Sequence, residues 1–352
     1  MLATDLSGGG CRPLLSRQHL RYVASRFVTA PKATFTGAVG GTAFFERKGL
    51  MMTAWRGVFP AVTTKLRQDG SIDLKATQAS LDRLIANGVS GVIVLPMLGE
   101  NASLTAAERE QVIRAAKEVV AGRVPLLSGL ATISTEDATS SARRFESFGA
   151  EGLMVFPSIA YKTDPRETAQ WYKAIAEACG IPIMIYNNPI AYGVDVTPAI
   201  LRDLVNVPGI VCIKEESGDI RRVTDLYNEH GDRFQVFCGV DDLLLESVAL
   251  GVTGWVSGMT NAWPAECVEI FNLCRAGRYD EARGLYRLMT PAFHLDTHVK
   301  LVQYIKLAEH LAYGAPEWVR SPRLPLEGAE RSRVTEVINA TIRGLAQRRK
   351  AA

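Results

Sequence analysis

The sequence predicts a closed (β/α)8 barrel, a TIM barrel, followed by a C-terminal helical extension. Three observations carry that expectation. From Trp55 onward, a short apolar run rich in Val, Ile and Leu alternates eight times with an amphipathic helical stretch. The runs are continuously apolar, the pattern of strands covered on both faces. No glycine-rich phosphate fingerprint follows the first run, which counts against an open, doubly wound sheet.

The runs, in order, are residues 57–64, 91–96, 124–131, 152–157, 181–188, 209–216, 234–240 and 253–259. Helical patterns fill the intervals, for example 74–88 and 105–122. Thr105 with Glu108 forms a capping box, and Gly88 and Gly122 suit helix C-termini. Residues 262–313 and 329–350 read as further helix, joined by a linker, 321–328, with two prolines. This places the barrel at 53–262 and the extension at 263–352.

Residues 1–52 stand apart. Arg12, Arg17, Arg21, Arg26, Lys32, Arg47 and Lys48 face only Asp5 and Glu46. Such a stretch is expected to lack regular structure. It reads either as an Arg-rich mitochondrial leader or as sequence upstream of a start at Met51 or Met52. The second reading is preferred, because regular patterning begins directly after Met52.

With 47% apolar and 22% charged residues and a formal net charge of +3, the composition is that of an ordinary soluble enzyme. It gives no reason to expect nucleic acid or a membrane surface as partner. No stretch approaches the roughly 20 apolar residues of a membrane span. The six cysteines form no C-x-x-C pair, so a reducing, cytoplasmic compartment is expected.

In such a barrel the chemistry sits at the C-terminal ends of the strands. Lys214 follows Ile210, Val211, Cys212 and Ile213 in what should be an internal strand. A lysine there can lose its proton and attack a carbonyl. It can equally pair with Glu215 or Glu216. Tyr186 ends the preceding strand and can pass protons beside a lysine imine, or can merely plug the barrel mouth. The turn Gly99-Glu100-Asn101 can offer backbone N–H groups to a substrate carboxylate. Leu98, Gly99, Glu100, Asn101, Gly239, Val256 and Ser257 are the candidate substrate contacts at the strand ends. His294 and His298 lie four apart, but without a third ligand they read as packing or surface residues. No metal is expected.

The strand end YNNP (186–189), CIKEESGD (212–219) with its lysine 28 positions after the tyrosine, and LGENASLTAAER (98–109) resemble the dihydrodipicolinate synthase / N-acetylneuraminate lyase family. The resemblance runs from about Trp55 to the C-terminus. It implies a barrel with a helical extension, a homotetramer built as a dimer of dimers, and an imine between Lys214 and a 2-oxo acid, with Tyr186 as relay. It implies no cofactor.

The departures matter as much. Where the synthase reads G-T-T-G-E, this chain has Pro96-Met97-Leu98-Gly99-Glu100. The synthase's tyrosines after its fourth strand are replaced by Ser158 and Ile159, and its substrate-gripping arginine by Ala191. The turn 98–101, the stretch 239–259 and the segment HLDTHVKLVQYIKLAE (294–309) are most similar to 1-pyrroline-4-hydroxy-2-carboxylate deaminases. The expected substrate is therefore a small 2-oxo acid or cyclic imino acid. The synthase reaction, or another 2-oxo-acid aldolase or dehydratase reaction, is the alternative within the family. A catalytically silent, small-molecule-binding barrel is the alternative of another class.

Overall fold

The computed structural model describes residues 34–39, 42–47, 50–53 and 55–351. The expectation for residues 1–33 lies outside them. Two units, Met1–Thr34 and Phe35–Ala352, divide the chain. Within 34–53, where no regular structure is expected, the backbone forms three short strands, Thr34–Val39, Thr42–Arg47 and Leu50–Thr53.

Each of the eight apolar runs contains a strand: β1 (Gly57–Pro60), β2 (Val92–Val94), β3 (Leu126–Leu130), β4 (Gly152–Val155), β5 (Ile183–Asn187), β6 (Ile210–Glu215), β7 (Gln235–Cys238) and β8 (Gly254–Ser257). They pair in parallel in the order β1-β8-β7-β6-β5-β4-β3-β2. A parallel bridge between Ala61 and Ile93, where Val62 N–H donates to the Ile93 carbonyl at 2.9 Å, joins β1 to β2 and closes the barrel.

The interior is packed solid. β1 and β7 are not neighbours, yet Phe59 and Phe237 meet edge to face at 5.4 Å, so their contact crosses the barrel. Glycines make that room. A Cβ on Gly91 would lie 2.0 Å from the Phe59 ring, and one on Gly254 2.2 Å from the Phe237 ring.

Helices α1 (Leu74–Ala86), α2 (Ala106–Val120), α3 (Thr135–Phe148) and α4 (Pro165–Ala178) follow the first four strands. Short α5 (Pro189–Tyr192) and α6 (Pro198–Leu201) follow β5; α7 (Arg221–His230) and α8 (Leu244–Ala249) follow β6 and β7. The Thr105–Glu108 capping box is present. Gly88 and Gly122 both have the positive φ expected beyond a helix end, and at the end of α2 Ala121, just before Gly122, is left-handed as well. Helix α9 (Pro264–Arg275), read from sequence as part of the extension, packs against β1 and completes the outer ring.

The extension continues as α10 (Tyr279–Phe293), α11 (Leu301–Tyr313) and α12 (Gly328–Ala351). It is latched to the barrel mouth by buried charges that no local pattern announces. Lys65, just beyond β1, forms a fully buried ion pair with Glu309 on α11. The same carboxylate accepts from the Thr63 hydroxyl at 2.7 Å and the Tyr313 hydroxyl at 2.6 Å. Lys306, one turn earlier on α11, reaches Glu100 at 2.5 Å, and the Arg320 backbone N–H donates to the other Glu100 oxygen at 2.9 Å. Burial pushes the Lys65 amine below its usual range and that of Lys306 down to about 8. Nearer the surface, the Arg320 guanidinium grips Glu108 through two bonds and brings its carboxyl down to about 2.

Candidate active site

Parallel register sets Tyr186 on β5 directly beside Lys214 on β6, and Asn187 beside Glu215. Residues alternate faces along a strand, so one rung points into the barrel mouth and the next points outward. On the outward rung the Asn187 amide donates to Glu215 at 2.9 Å and to Asp195 at 3.1 Å. Asp195 is held by both guanidinium nitrogens of Arg222 on α7, each at 2.8 Å. On the inward rung the Asn188 amide donates to Glu216 at 3.0 Å and to the Tyr186 hydroxyl at 3.1 Å. Tyr186–Lys214, Asn187–Glu215 and Asn188–Glu216 share one spacing of 28 residues. Two polar rungs thus fix the strand end that carries the lysine.

Lys214 is 6% exposed. Its Nζ stands 4.1 Å from the centroid of the Tyr186 ring and 2.5 Å from Glu216 Oε2. Tyr186 is wedged edge to face against Phe156 and Tyr192, at 4.9 and 5.7 Å. Burial first, then the charge of Glu216, pushes its hydroxyl well above the usual phenol range. The hydroxyl therefore keeps its proton at neutral pH. Gly239 on the next strand end allows the lysine its place. A Cβ there would lie 2.9 Å from Lys214 Cε and 2.8 Å from Glu216 Cβ.

Two further carboxyls face the lysine. Asp241, after β7, accepts from the Trp255 indole at 3.0 Å and the Met259 N–H at 2.8 Å. Burial raises it to about 7. Asp296, between α10 and α11, is raised well above the usual carboxylate range by burial and then by the charge of Asp241. Neither was found from sequence. An HLD triplet carries no signal until α10 delivers it to the barrel mouth.

Above this group opens a cavity of about 960 Å³. Asn188, Glu216 and Asp296 form part of its wall, and Met97, Ile159 and Ala191 make another part apolar. Of the candidate substrate contacts, Glu100 and Asn101 line this cavity, whereas Leu98, Gly99, Gly239, Val256 and Ser257 do not. Leu98, Val256 and Ser257 are buried, and Ser257 accepts from the Thr260 N–H at 3.0 Å. The turn at Gly99-Glu100 spends its backbone donors internally, on the Pro96 carbonyl at 3.1 Å and the Met97 carbonyl at 2.9 Å. The Glu100 carboxylate is committed to Lys306, and the Asn101 amide to the Leu95 and Gly129 carbonyls at 2.8 and 2.9 Å. Glu100 and Asn101 thus reach the cavity wall with the Glu100 carboxylate, the Asn101 side-chain amide and the Gly99 and Glu100 N–H groups already engaged.

His294 and His298 also line the cavity, a placement their sequence context did not suggest. They sit at the start and just beyond the end of a single 3-10 turn, His294–Thr297, not along an α-helix. His294 meets Asp242 at 2.5 Å, and His298 stacks on Tyr304. Among the described residues no group of three or more His, Cys, Asp or Glu is arranged to hold a metal ion. Their five cysteines are free thiols, and among the described residues no helix is long and apolar enough to cross a membrane.

The model of the family described as "Dihydrodipicolinate synthetase family" matches residues 54–341. The 4-hydroxy-tetrahydrodipicolinate synthase of Methanoculleus marisnigri is 32% identical over 290 residues, covering 81% of this chain and 98% of its own. The Escherichia coli protein named "Probable 2-dehydro-3-deoxy-D-pentonate aldolase YjhH" is 32% identical over 261 residues, covering 72% of this chain and 87% of its own. Among solved structures, the 4-hydroxy-tetrahydrodipicolinate synthase of Methylacidiphilum fumariolicum superposes with a TM-score of 0.79 at 26% identity, covering 83% of this chain and 98% of its own. The dihydrodipicolinate synthase of Acinetobacter baumannii, solved with pyruvate, gives 0.78 at 26% identity, covering 81% and 98%.

Proposed function

The chain belongs to the dihydrodipicolinate synthetase family, and from that premise we propose a Lys214 imine mechanism acting on 1-pyrroline-4-hydroxy-2-carboxylate, releasing ammonia and 2-oxoglutarate semialdehyde. The observation that carries the lysine chemistry is the buried Lys214–Tyr186 pair, 4.1 Å apart beneath the cavity. The finer reading rests on the walls. Met97, Ile159 and Ala191 face the cavity where the resemblance would place hydroxyls and a guanidinium for a second, anionic substrate. A cyclic imine brings its own C=N bond and needs no such partner.

In this scheme Lys214 Nζ adds to the ring C=N carbon, and the ring C–N bond opens to leave a lysine imine and a free amine. The protonated imine then withdraws electrons from the adjacent carbon, which loses a proton. The 4-hydroxyl departs as water, receiving a proton from the Tyr186 hydroxyl. The new C3=C4 double bond then shifts: C5 and its amine each give up a proton while C3 and C4 each gain one, so that C5 becomes an imine. Hydrolysis there frees ammonia, and hydrolysis of the lysine imine frees the 2-oxo product. One water leaves and two enter, so the net reaction consumes one. The chain then serves as a homotetrameric lyase of hydroxyproline breakdown in the cytoplasm.

Ammonia release from 1-pyrroline-4-hydroxy-2-carboxylate, by wild type beside Lys214→Ala, tests this directly. Release that vanishes in the variant supports it; near-normal turnover without the lysine sinks it. The names of the relatives favour a second reading, synthase or 2-oxo-acid aldolase chemistry on the same lysine. Pyruvate-dependent condensation with an aldehyde, in the absence of any ammonia release, would select it.

A further inference from the structure

We propose that Glu216 is a catalytic residue: the carrier that takes the proton from the Lys214 ammonium and returns it to the group that leaves as the imine forms. This rests on the lysine reading of the site and adds to it. Sequence alone offers Glu216 as one of two carboxylates that merely neutralise the lysine.

The geometry separates the two. Glu215 points outward, into the Asn187–Asp195–Arg222 network. Glu216 points inward, with Oε2 at 2.5 Å from Lys214 Nζ and part of its side chain on the cavity wall. Its other oxygen is held by the Asn188 amide at 3.0 Å, and Asn188 is itself fixed by the Ala191 N–H donating to its Oδ1 at 2.9 Å. The carboxylate is therefore oriented from behind and presents one oxygen to the reacting nitrogen. That nitrogen must shed its proton before it can attack, and Glu216 is the acceptor in contact with it.

The steps balance. The Lys214 ammonium gives a proton to Glu216, leaving a neutral amine and a neutral acid. The amine nitrogen bonds to the substrate C=N carbon, and the C=N electron pair moves to the ring nitrogen, which takes the proton from Glu216. Glu216 then carries a second proton from Nζ to the ring nitrogen. The C–N ring bond breaks with its electron pair on the departing amine, leaving a protonated lysine imine and an ionised Glu216. With a 2-oxo acid the same carrier serves a departing water.

A carboxylate that only held the ammonium would behave oppositely. Removing it would leave the amine to attack with no loss of rate, whereas removing a proton carrier slows imine formation by about 100-fold or more. The other titratable groups around the pair include Tyr186 on β5, Tyr192 on α5, Cys238 on β7, Asp241 after β7 and Asp296 before α11. All are unchanged in the variant.

The experiment is the rate of reductive methylation at Lys214 by formaldehyde and cyanoborohydride, read by peptide mass spectrometry across pH 5–9. Wild type, Glu216→Gln, Glu216→Asp and Glu216→Ala are compared, with circular dichroism as a check on folding. Expected is a loss of about 100-fold in Glu216→Gln, with partial recovery in Glu216→Asp and on adding formate to Glu216→Ala. An equal or faster rate in Glu216→Gln, with its optimum moved to lower pH, overturns the proposal. Formaldehyde needs no cognate binding site. A failure of the substrate assay with this result intact therefore removes the substrate reading and leaves the proton carrier.

Discussion

Breaking the buried ion pair between Lys65 and Glu309 should destabilise the protein by an amount that can be worked out beforehand. Both side chains are fully buried, and Glu309 gathers three donors: the Lys65 amine, the Thr63 hydroxyl and the Tyr313 hydroxyl. Glu309→Leu leaves the lysine without a counter-charge. Stranding one partner of a buried pair costs about 3–5 kcal/mol. A ceiling follows from chemistry, since Lys65 can escape by losing its proton. Doing so at pH 7 costs about 1.4 kcal/mol for each pH unit below 10.5, about 5 kcal/mol in all. Over roughly 300 folded residues the unfolding entropy is about 0.6 kcal/mol/K, so the melting temperature should fall by about 5–8 °C. The loss should shrink as pH rises toward 10, because the neutral amine then comes free. Lys65→Met/Glu309→Leu, which replaces the pair with apolar groups of similar size, should be more stable than Glu309→Leu alone. Thermal melts of the three variants at pH 7 and pH 9.5 decide it. Additive losses in the double variant, or a Glu309→Leu deficit independent of pH, would refute the reasoning.

Three further outcomes are expected. Glu108→Gln should lower the melting temperature at pH 7. Its carboxyl titrates near 2 when folded against the ordinary 4.5, so the stability it gives is present above 4.5 and is lost as pH falls toward 2. Wild-type and variant melts should converge across that window. Gly254→Ala should cost about 1–3 kcal/mol, or drive the Phe237 ring from its rotamer, since the new methyl meets the ring at 2.2 Å; unchanged urea unfolding would contradict the packed interior. Gly239→Ala should slow reductive methylation of Lys214 sharply and cost some stability, because the methyl meets Glu216 Cβ at 2.8 Å and both the Glu215 carbonyl oxygen and Lys214 Cε at 2.9 Å. Methylation at the wild-type rate would show that the lysine does not need that space.

The fold was legible because burial on both faces leaves a mark in every strand. Eight runs of Val, Ile and Leu gave eight strands, and adjacent strand ends put Tyr186 beside Lys214 without any tertiary information. What the sequence left out shares a cause. Gly99, Glu100 and Asn101 look like a ligand turn until one sees that Lys306, 206 residues away, has claimed the carboxylate. Helix α9 looks like extension because its apolar face is the same whether it covers β1 or a second layer. Asp241 and Asp296 were missed because each is an unremarked acid in its own segment, and Glu216 was read only as a pairing partner of Lys214. Only the closed barrel brings them to one amine. The spacing of 28 residues shared by three pairs was the available signal, since two Asn–Glu rungs flank the Tyr–Lys pair in register.

The latch between the extension and the barrel mouth has a bearing on synthesis. The lysine and its tyrosine are joined within a single strand–helix–strand unit, a contact a nascent chain can make early. Lys65 and Glu309 are separated by 244 residues, and Glu100 and Lys306 by 206. Until α11 emerges from the ribosome, Lys65 has no Glu309 and Glu100 has no Lys306, so neither can be desolvated at tolerable cost. A growing chain therefore holds Lys214 in a mouth that stays open and wet. That mouth closes only when the C-terminal helices arrive, which makes the extension the clasp that commits the barrel to its finished form.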